Sequence, residues 1–112
     1  MKRYVYILIL IFASNVLFSQ KTQTVITKIA FGSCGDQSKP QPILNLVTKY
    51  SPDIFLYLGD NIYADTKDMD ELKAKYDMLG AKPEFKKLKA STKILATWDD
   101  HDFGWNDVGR HY

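Results

Sequence analysis

The segment that most constrains this chain is Ile54–Leu58, an unbroken apolar run (IFLYL) closed at once by Gly59-Asp60. A short continuous run bounded by turn residues fits a strand buried on both faces. Two other runs share that character. Val25–Phe31 (VITKIAF) is β-branched and aromatic and stops at Gly32-Ser33-Cys34-Gly35. Lys93–Thr97 (KILAT) leads directly into Trp98-Asp99-Asp100-His101-Asp102. Helical patterns lie between them. Over Gln41–Ser51, Ile43, Leu46, Val47 and Tyr50 recur at helical spacing, with Pro42 in the first turn. Asp68–Leu79 reads as a helix opened by an Asp68/Glu71 capping box and ended by Gly80. Pro83–Ala90 reads as a second short helix, and the tail Phe103–Tyr112 as an ordered loop. The order strand, helix, strand, helix, helix, strand predicts an α/β fold with parallel strands and crossover helices.

In open parallel sheets, ligands sit beyond the carboxyl ends of the strands. Three strand ends here deliver Cys34, Asp60 and the Asp99-Asp100-His101-Asp102 cluster to one edge. A carboxylate such as Asp60 has two oxygens and can bridge two cations. Tyr63, three residues on, can return to the same side, and a phenol becomes a good ligand beside a strong Lewis acid. Three acids and a histidine within four residues raise one another's pKa values unless cations offset the repulsion. His101 then serves as a proton donor or as a charge partner for an oxyanion. Plainer readings stand beside these: Asp60 capping a turn, Tyr63 in the core, a solvated acidic loop.

Cys34 is the sole cysteine, so an internal disulfide is excluded. It is buried and inert, paired with another chain, a thiolate ligand, or a nucleophile with His101 or His111 as base. A phosphatase loop with Arg six residues after the cysteine is excluded, because Pro40 stands there. Asp68-Met69-Asp70 has the look of an aspartate-nucleophile pair, but its place at a helix start is explained by capping. Tyr50, Phe55, Tyr57, Tyr76 and Phe85 are expected in the core, and Lys86, Lys87 and Lys89 on a solvated helix face.

Lys2 and Arg3, an apolar stretch from Tyr4 to Phe18 and a polar segment from Ser19 have the layout of a secretory signal peptide over residues 1–20. Fifteen helical residues rise about 22 Å, short of the roughly 30 Å hydrocarbon core. Secretion or a periplasmic location is therefore expected, with no stable membrane anchor after cleavage. Residues 21–112 form the folded part. Apolar residues are 46% and charged residues 25% of the chain, a globular balance that argues against disorder or a polytopic membrane protein. After the first twenty residues the acids and bases balance, and Arg110 is the only arginine, so there is no nucleic-acid-binding signature.

Phe-Gly-Ser-Cys34, Gly-Asp60-Asn-Ile-Tyr63-Ala-Asp65 and Thr-Trp98-Asp-Asp-His-Asp102-Phe-Gly-Trp-Asn106-Asp107 occur in the order and approximate spacing of the PhoD-like metallophosphatases, the alkaline phosphatase D family. The chain resembles that family over residues 28–112. The resemblance implies a calcineurin-like four-layer α/β/β/α sandwich, of which this chain supplies the N-terminal βαβ part. It implies a secreted hydrolase of phosphomonoesters or phosphodiesters. Cys34, Asp60 and Tyr63 would hold a ferric ion (Fe3+), and Asp60 would bridge to a second cation, calcium (Ca2+). Asp99 or Asp100, with Asn106, would serve that second cation or the phosphate. Asp100 stands where the wider superfamily has an Asn ligand before the catalytic His, which favours Asp100 of the pair and makes His101 the transition-state stabiliser. A downstream Asp and His segment of the family has no counterpart here, so the isolated chain is expected to be inactive, exposing an apolar sheet edge. The alternatives are a non-catalytic secreted cation-binding module and a thiol hydrolase using Cys34.

Overall fold

A computed structural model describes residues 25–110. The proposed signal segment and His111 lie outside these described residues. Three strands, β1 (Ile29–Gly32), β2 (Ile54–Leu58) and β3 (Lys93–Thr97), form one sheet in the order β1-β2-β3. Both pairings are parallel, with Ile29 opposite Ile54 and Ile54 opposite Lys93. The protein is thus a mixed α/β structure with a three-stranded parallel sheet, as the alternation of elements predicts. Helix α1 (Ile43–Tyr50) links β1 to β2. Helices α2 (Met69–Ala81) and α3 (Pro83–Ser91) link β2 to β3, and a single turn, α4 (Asp100–Phe103), follows β3. This last turn falls partly within the predicted loop.

The register sorts the side chains onto two faces, because successive residues of a strand point opposite ways. Phe55 and Tyr57 of β2 pack with Leu44 of α1 and Leu88 of α3, flanked by Ala30, Val47, Phe85 and Ile94. Phe55 and Tyr57 meet edge to face at 4.8 Å between ring centroids. A second cluster joins Ile62 and Ala64, just after β2, to Leu79 of α2. On the other face Phe31, Leu56 and Leu95 form one row, yet Phe31 is 69% exposed and Leu95 43%. On that face β2 itself grades from buried Ile54 through half-buried Leu56 to exposed Leu58, so the two-sided burial expected of β2 is realised only in part.

Several local details differ from the sequence pattern, each for a physical reason. β1 begins at Ile29, four residues later than expected; Thr27 and Lys28 give their N–H groups to the Asp53 carboxylate instead. In α1 the inward residues are Leu44 and Val47, so Ile43, Leu46 and Tyr50 lie exposed. Tyr50, expected in the core, is 64% exposed. In α2 the Asp68 carboxylate caps the N–H groups of Asp70 and Glu71. Glu71 does not reach back to Asp68; it takes the Thr66 hydroxyl at 2.9 Å, and that hydroxyl oxygen accepts the Asp68 N–H. Gly80 lies inside α2, and the stop comes at Lys82, which is extended before Pro83. A residue before proline is driven out of the helical region by its neighbour's ring.

Candidate metal centre

Parallel pairing puts the carboxyl ends of β1, β2 and β3 on one edge, and three loops meet there. The β1 loop is tied to the β2 loop by backbone bonds from Cys34 N–H to Gly59 O (3.3 Å) and from Gly35 N–H to Asp60 O (2.8 Å). Gln37, almost fully buried, completes the tie. Its side chain gives a hydrogen bond to Tyr63 O and accepts one from Tyr63 N–H, both 2.9 Å. The β3 loop docks through Ala64 N–H to His101 O at 3.0 Å. Gly59 permits the close fit. Its φ is +102°, and an added Cβ would stand 2.6 Å from that of Asp99.

Backbone strain is concentrated at this edge. Five non-glycine residues among those described have positive φ, and Cys34, Asp60, Asp65 and Asp107 belong to these loops. Such conformations cost of order 1–3 kcal/mol each and persist where surrounding structure enforces them.

Asp60, Asp100 and His101 each present a ligand atom, and the three atoms lie within 4.8 Å of one another. One Asp60 oxygen, Oδ1, is buried with no hydrogen-bond partner. The other, Oδ2, accepts from the Cys34 thiol at 3.7 Å. Tyr63 stacks at a tilt on His101, with centroids 4.6 Å apart. Burial first, then a hydrogen bond and charge from Cys34 and the charge of Asp60, push the Tyr63 phenol up to about 12. The Asp100 carboxyl is lowered, chiefly by the Asp107 N–H that it accepts. For His101, burial works against the charged ring. The Asp65 hydrogen bond and the charges of Asp65, Asp100 and Asp60 outweigh it, so the pKa is raised.

This donor set fits a cation. A buried carboxylate oxygen without a donor is costly, and an adjacent metal ion would supply the missing partner. Two carboxylates and an imidazole form a set that could hold a metal ion, with the Cys34 thiol beside Asp60 and the Tyr63 ring beside His101.

Asp60, Asp100 and His101 thus converge, with Cys34 against Asp60 and Tyr63 against His101. Asp99 and Asn106 do not join them. Asp99 is the N-cap of α4, its carboxylate accepting the Asp100 N–H at 3.0 Å. Asn106 is exposed and gives its amide to the Asp107 carboxylate at 2.6 Å. Sequence reasoning passed over Asp65, which accepts or shares a hydrogen bond with His101 Nδ1 at 2.7 Å. It also left Asp102 without a role of its own. That residue is 1% exposed and takes the N–H groups of Asn61, Ile62 and Asp99 and the Tyr76 hydroxyl. The acidic cluster was the signal for Asp102, and the Asp60–Asp65 segment for Asp65, but spacing alone separates neither from its neighbours. A cleft of about 500 Å³ opens beside Cys34, walled by Phe31, Leu44, Val47 and Phe55.

No family model, curated protein or solved structure matches this chain. Among the described residues no helix is long and apolar enough to cross a membrane.

Proposed function

We propose that this chain supplies the cation-binding core of a secreted, PhoD-like metallophosphatase that hydrolyses phosphomonoesters or phosphodiesters. On this reading the three-stranded sheet belongs to a calcineurin-like four-layer sandwich. The supporting observation is the convergence of Asp60, Asp100 and His101 from separate strand ends around an Asp60 oxygen that has no protein partner. Cys34, Asp60 and Tyr63 would hold Fe3+, and Asp60 with Asp100 would hold Ca2+. When bound, such cations neutralise phosphate charge and acidify a water.

The chain's own groups then divide the remaining work. His101 holds a proton on Nδ1 toward Asp65 and, when charged, offers Nε2–H to a phosphate oxygen. The apolar cleft beside Cys34 receives the alcohol part of the ester. A thiol hydrolase fits less well, because the hydrogen-bond partner of the Cys34 thiol is the Asp60 carboxylate and not a histidine. The donor number favours a second reading. Calcium ordinarily takes six to eight oxygens, which the Asp60, Asp100, His101 trio does not approach, as suits a binding module of modest affinity.

Turnover separates the two. The protein translated from the complete reading frame is assayed for iron and calcium and for hydrolysis of 4-nitrophenyl phosphate and bis(4-nitrophenyl) phosphate. Iron in the protein and ester cleavage are expected, and Asp60→Asn lowers both at least tenfold, as loss of a ligand does. Metal uptake without cleavage of either ester selects the binding module. Full iron and full activity in Asp60→Asn would overturn the assignment of the site.

A further inference from the structure

We propose that the pocket between β3 and helices α2 and α3 binds a small neutral phenol, a single aromatic ring carrying one hydroxyl. The pocket measures about 170 Å³ and is open to solvent. It is distinct from the cleft beside Cys34, and Tyr57 alone borders both. The inference does not depend on the hydrolase reading.

Two polar atoms mark the site. Tyr57 and Asn61 both line the pocket and are only 6% and 5% exposed. The Tyr57 hydroxyl and Asn61 Oδ1 are buried with no hydrogen-bond partner among the described residues. Turning the Asn61 amide over does not repair this, because its Nδ2 is committed to Thr97 O at 2.9 Å. The Asn61 backbone N–H is held by the Asp102 carboxylate, also at 2.9 Å, so the side chain starts from a fixed point. Burial pushes the Tyr57 hydroxyl up to about 12, which keeps its proton in place at neutral pH. The pair therefore offers one donor, the Tyr57 O–H, and one acceptor, Asn61 Oδ1. A ligand hydroxyl matches it, accepting through its oxygen and donating through its hydrogen. A carboxylate has no proton for Asn61, an ammonium has no lone pair for Tyr57, and no charged residue lines the pocket to offset either charge.

The walls select the rest of the ligand. Tyr76 of α2, Phe85 of α3 and Trp98 after β3 bring three further rings. The Tyr76 hydroxyl is engaged with Asp102, so this side chain offers its ring and not a second donor. Aromatic rings favour edge-to-face or offset contact with another ring. A dry cavity of about 150 Å³ holds one benzene, so the space suits one ring and not a fused pair.

The test titrates the ¹³C-alanine-labelled full chain with phenol and with benzene at neutral pH. The Ala96 methyl, which lines the pocket, is assigned by its loss in Ala96→Leu. Affinity is read from its shift, and the thermal midpoint should rise in parallel, since a ligand that binds only the folded state stabilises it. Phenol is expected to shift the Ala96 signal and to bind about fivefold more tightly than benzene, the difference that one net hydrogen bond makes. Tyr57→Phe removes the donor and keeps the ring, so it should bind the two ligands alike. Ala96→Leu fills the pocket and should raise the thermal midpoint with neither. Equal binding of phenol and benzene by wild type, or an undiminished preference for phenol in Tyr57→Phe, overturns the proposal. Binding of neither ligand also overturns it, and would assign the Tyr57 and Asn61 groups to water or to another segment of the full chain.

Discussion

Asp100 and Asp102 lie two residues apart on the same helical turn, and their surroundings are opposite. Asp102 points into the protein, where both its oxygens take donors from the β2 loop, from the start of α4 and from α2. Asp100 faces the open edge and shares it with Asp60 and His101. The underside is a satisfied polar network; the mouth is a gathering of acids with an unpaired carboxylate oxygen among them. The difference separates two uses of one residue type. A buried carboxylate that answers several N–H groups holds loops together. A carboxylate set beside another carboxylate, with an Asp60 oxygen lacking a donor, is free to accept a cation.

The contrast breaks most visibly at Asp102. Asp102→Ala strips partners from the N–H groups of Asn61, Ile62 and Asp99 and from the Tyr76 hydroxyl. Each buried donor left unsatisfied costs about 1–3 kcal/mol, and with water relieving some of them a total near 3–5 kcal/mol is expected. That is a large share of the roughly 5–15 kcal/mol available to a typical domain. Urea denaturation followed by circular dichroism measures it. An Asp102→Ala chain as stable as wild type would show that the underside is not the brace described here.

Asp100→Asn sharpens the same contrast from the other side. The amide oxygen still accepts the Asp107 N–H, and one of two neighbouring negative charges disappears. Stability should change by no more than about 0.5 kcal/mol, as for surface substitutions away from packed features. Cation affinity should fall at least tenfold, as loss of a metal ligand does. Calorimetric titration with ferric and calcium salts reads the affinity, and the urea midpoint reads the stability. If Asp100→Asn unfolded the chain while leaving affinity intact, the two acids would have exchanged roles.

These assignments show what the sequence carried and where it stopped. The strand after α1 and the strand before Trp98 were legible because short apolar runs ended at glycine or acid have few other uses. The convergence of Cys34, Asp60 and His101 followed from the alternation of elements, since parallel strands send their ends to one edge. The division of labour among Asp99, Asp100 and Asp102 was not legible. On a single turn, rotation about the helix axis decides which acid caps, which faces the mouth and which is buried, and a pattern of adjacent acids does not encode that rotation. Tyr50 and Ile43 failed for a related reason. Two apolar stripes run along α1, and helical spacing alone did not select Leu44 and Val47 as the inward one. The open face of the sheet, with Phe31 and Leu95 exposed, was beyond reach, because apolar strands are written alike whether or not something covers them.

The smallest effect lies at the opposite edge of the sheet, away from the mouth, and tests whether a surface carboxylate can also act as a brace. Asp53 accepts the N–H groups of Thr27 and Lys28 at 2.8 and 2.9 Å and the Thr27 hydroxyl at 3.1 Å, which pins the chain where β1 begins. These bonds, first that of Thr27 and then that of Lys28, hold its pKa below the ordinary 3.8, with the Lys28 charge adding to the effect. A carboxyl lowered in the folded state contributes stability above its unfolded value, and that contribution is lost as pH falls through the folded value. The window therefore opens near pH 4 and extends downward. Asp36, Glu84 and Asp100 are lowered as well and titrate in the same range, so the acid unfolding of wild type is a composite. Asp53→Asn removes one member while keeping an oxygen for one of the N–H groups. Its deficit against wild type should be present at pH 6 and should shrink toward zero as pH is lowered below 4. A deficit that stayed constant down to pH 2 would mean that the Asp53 bonds owe nothing to its charge, and that the brace at β1 is one of shape alone.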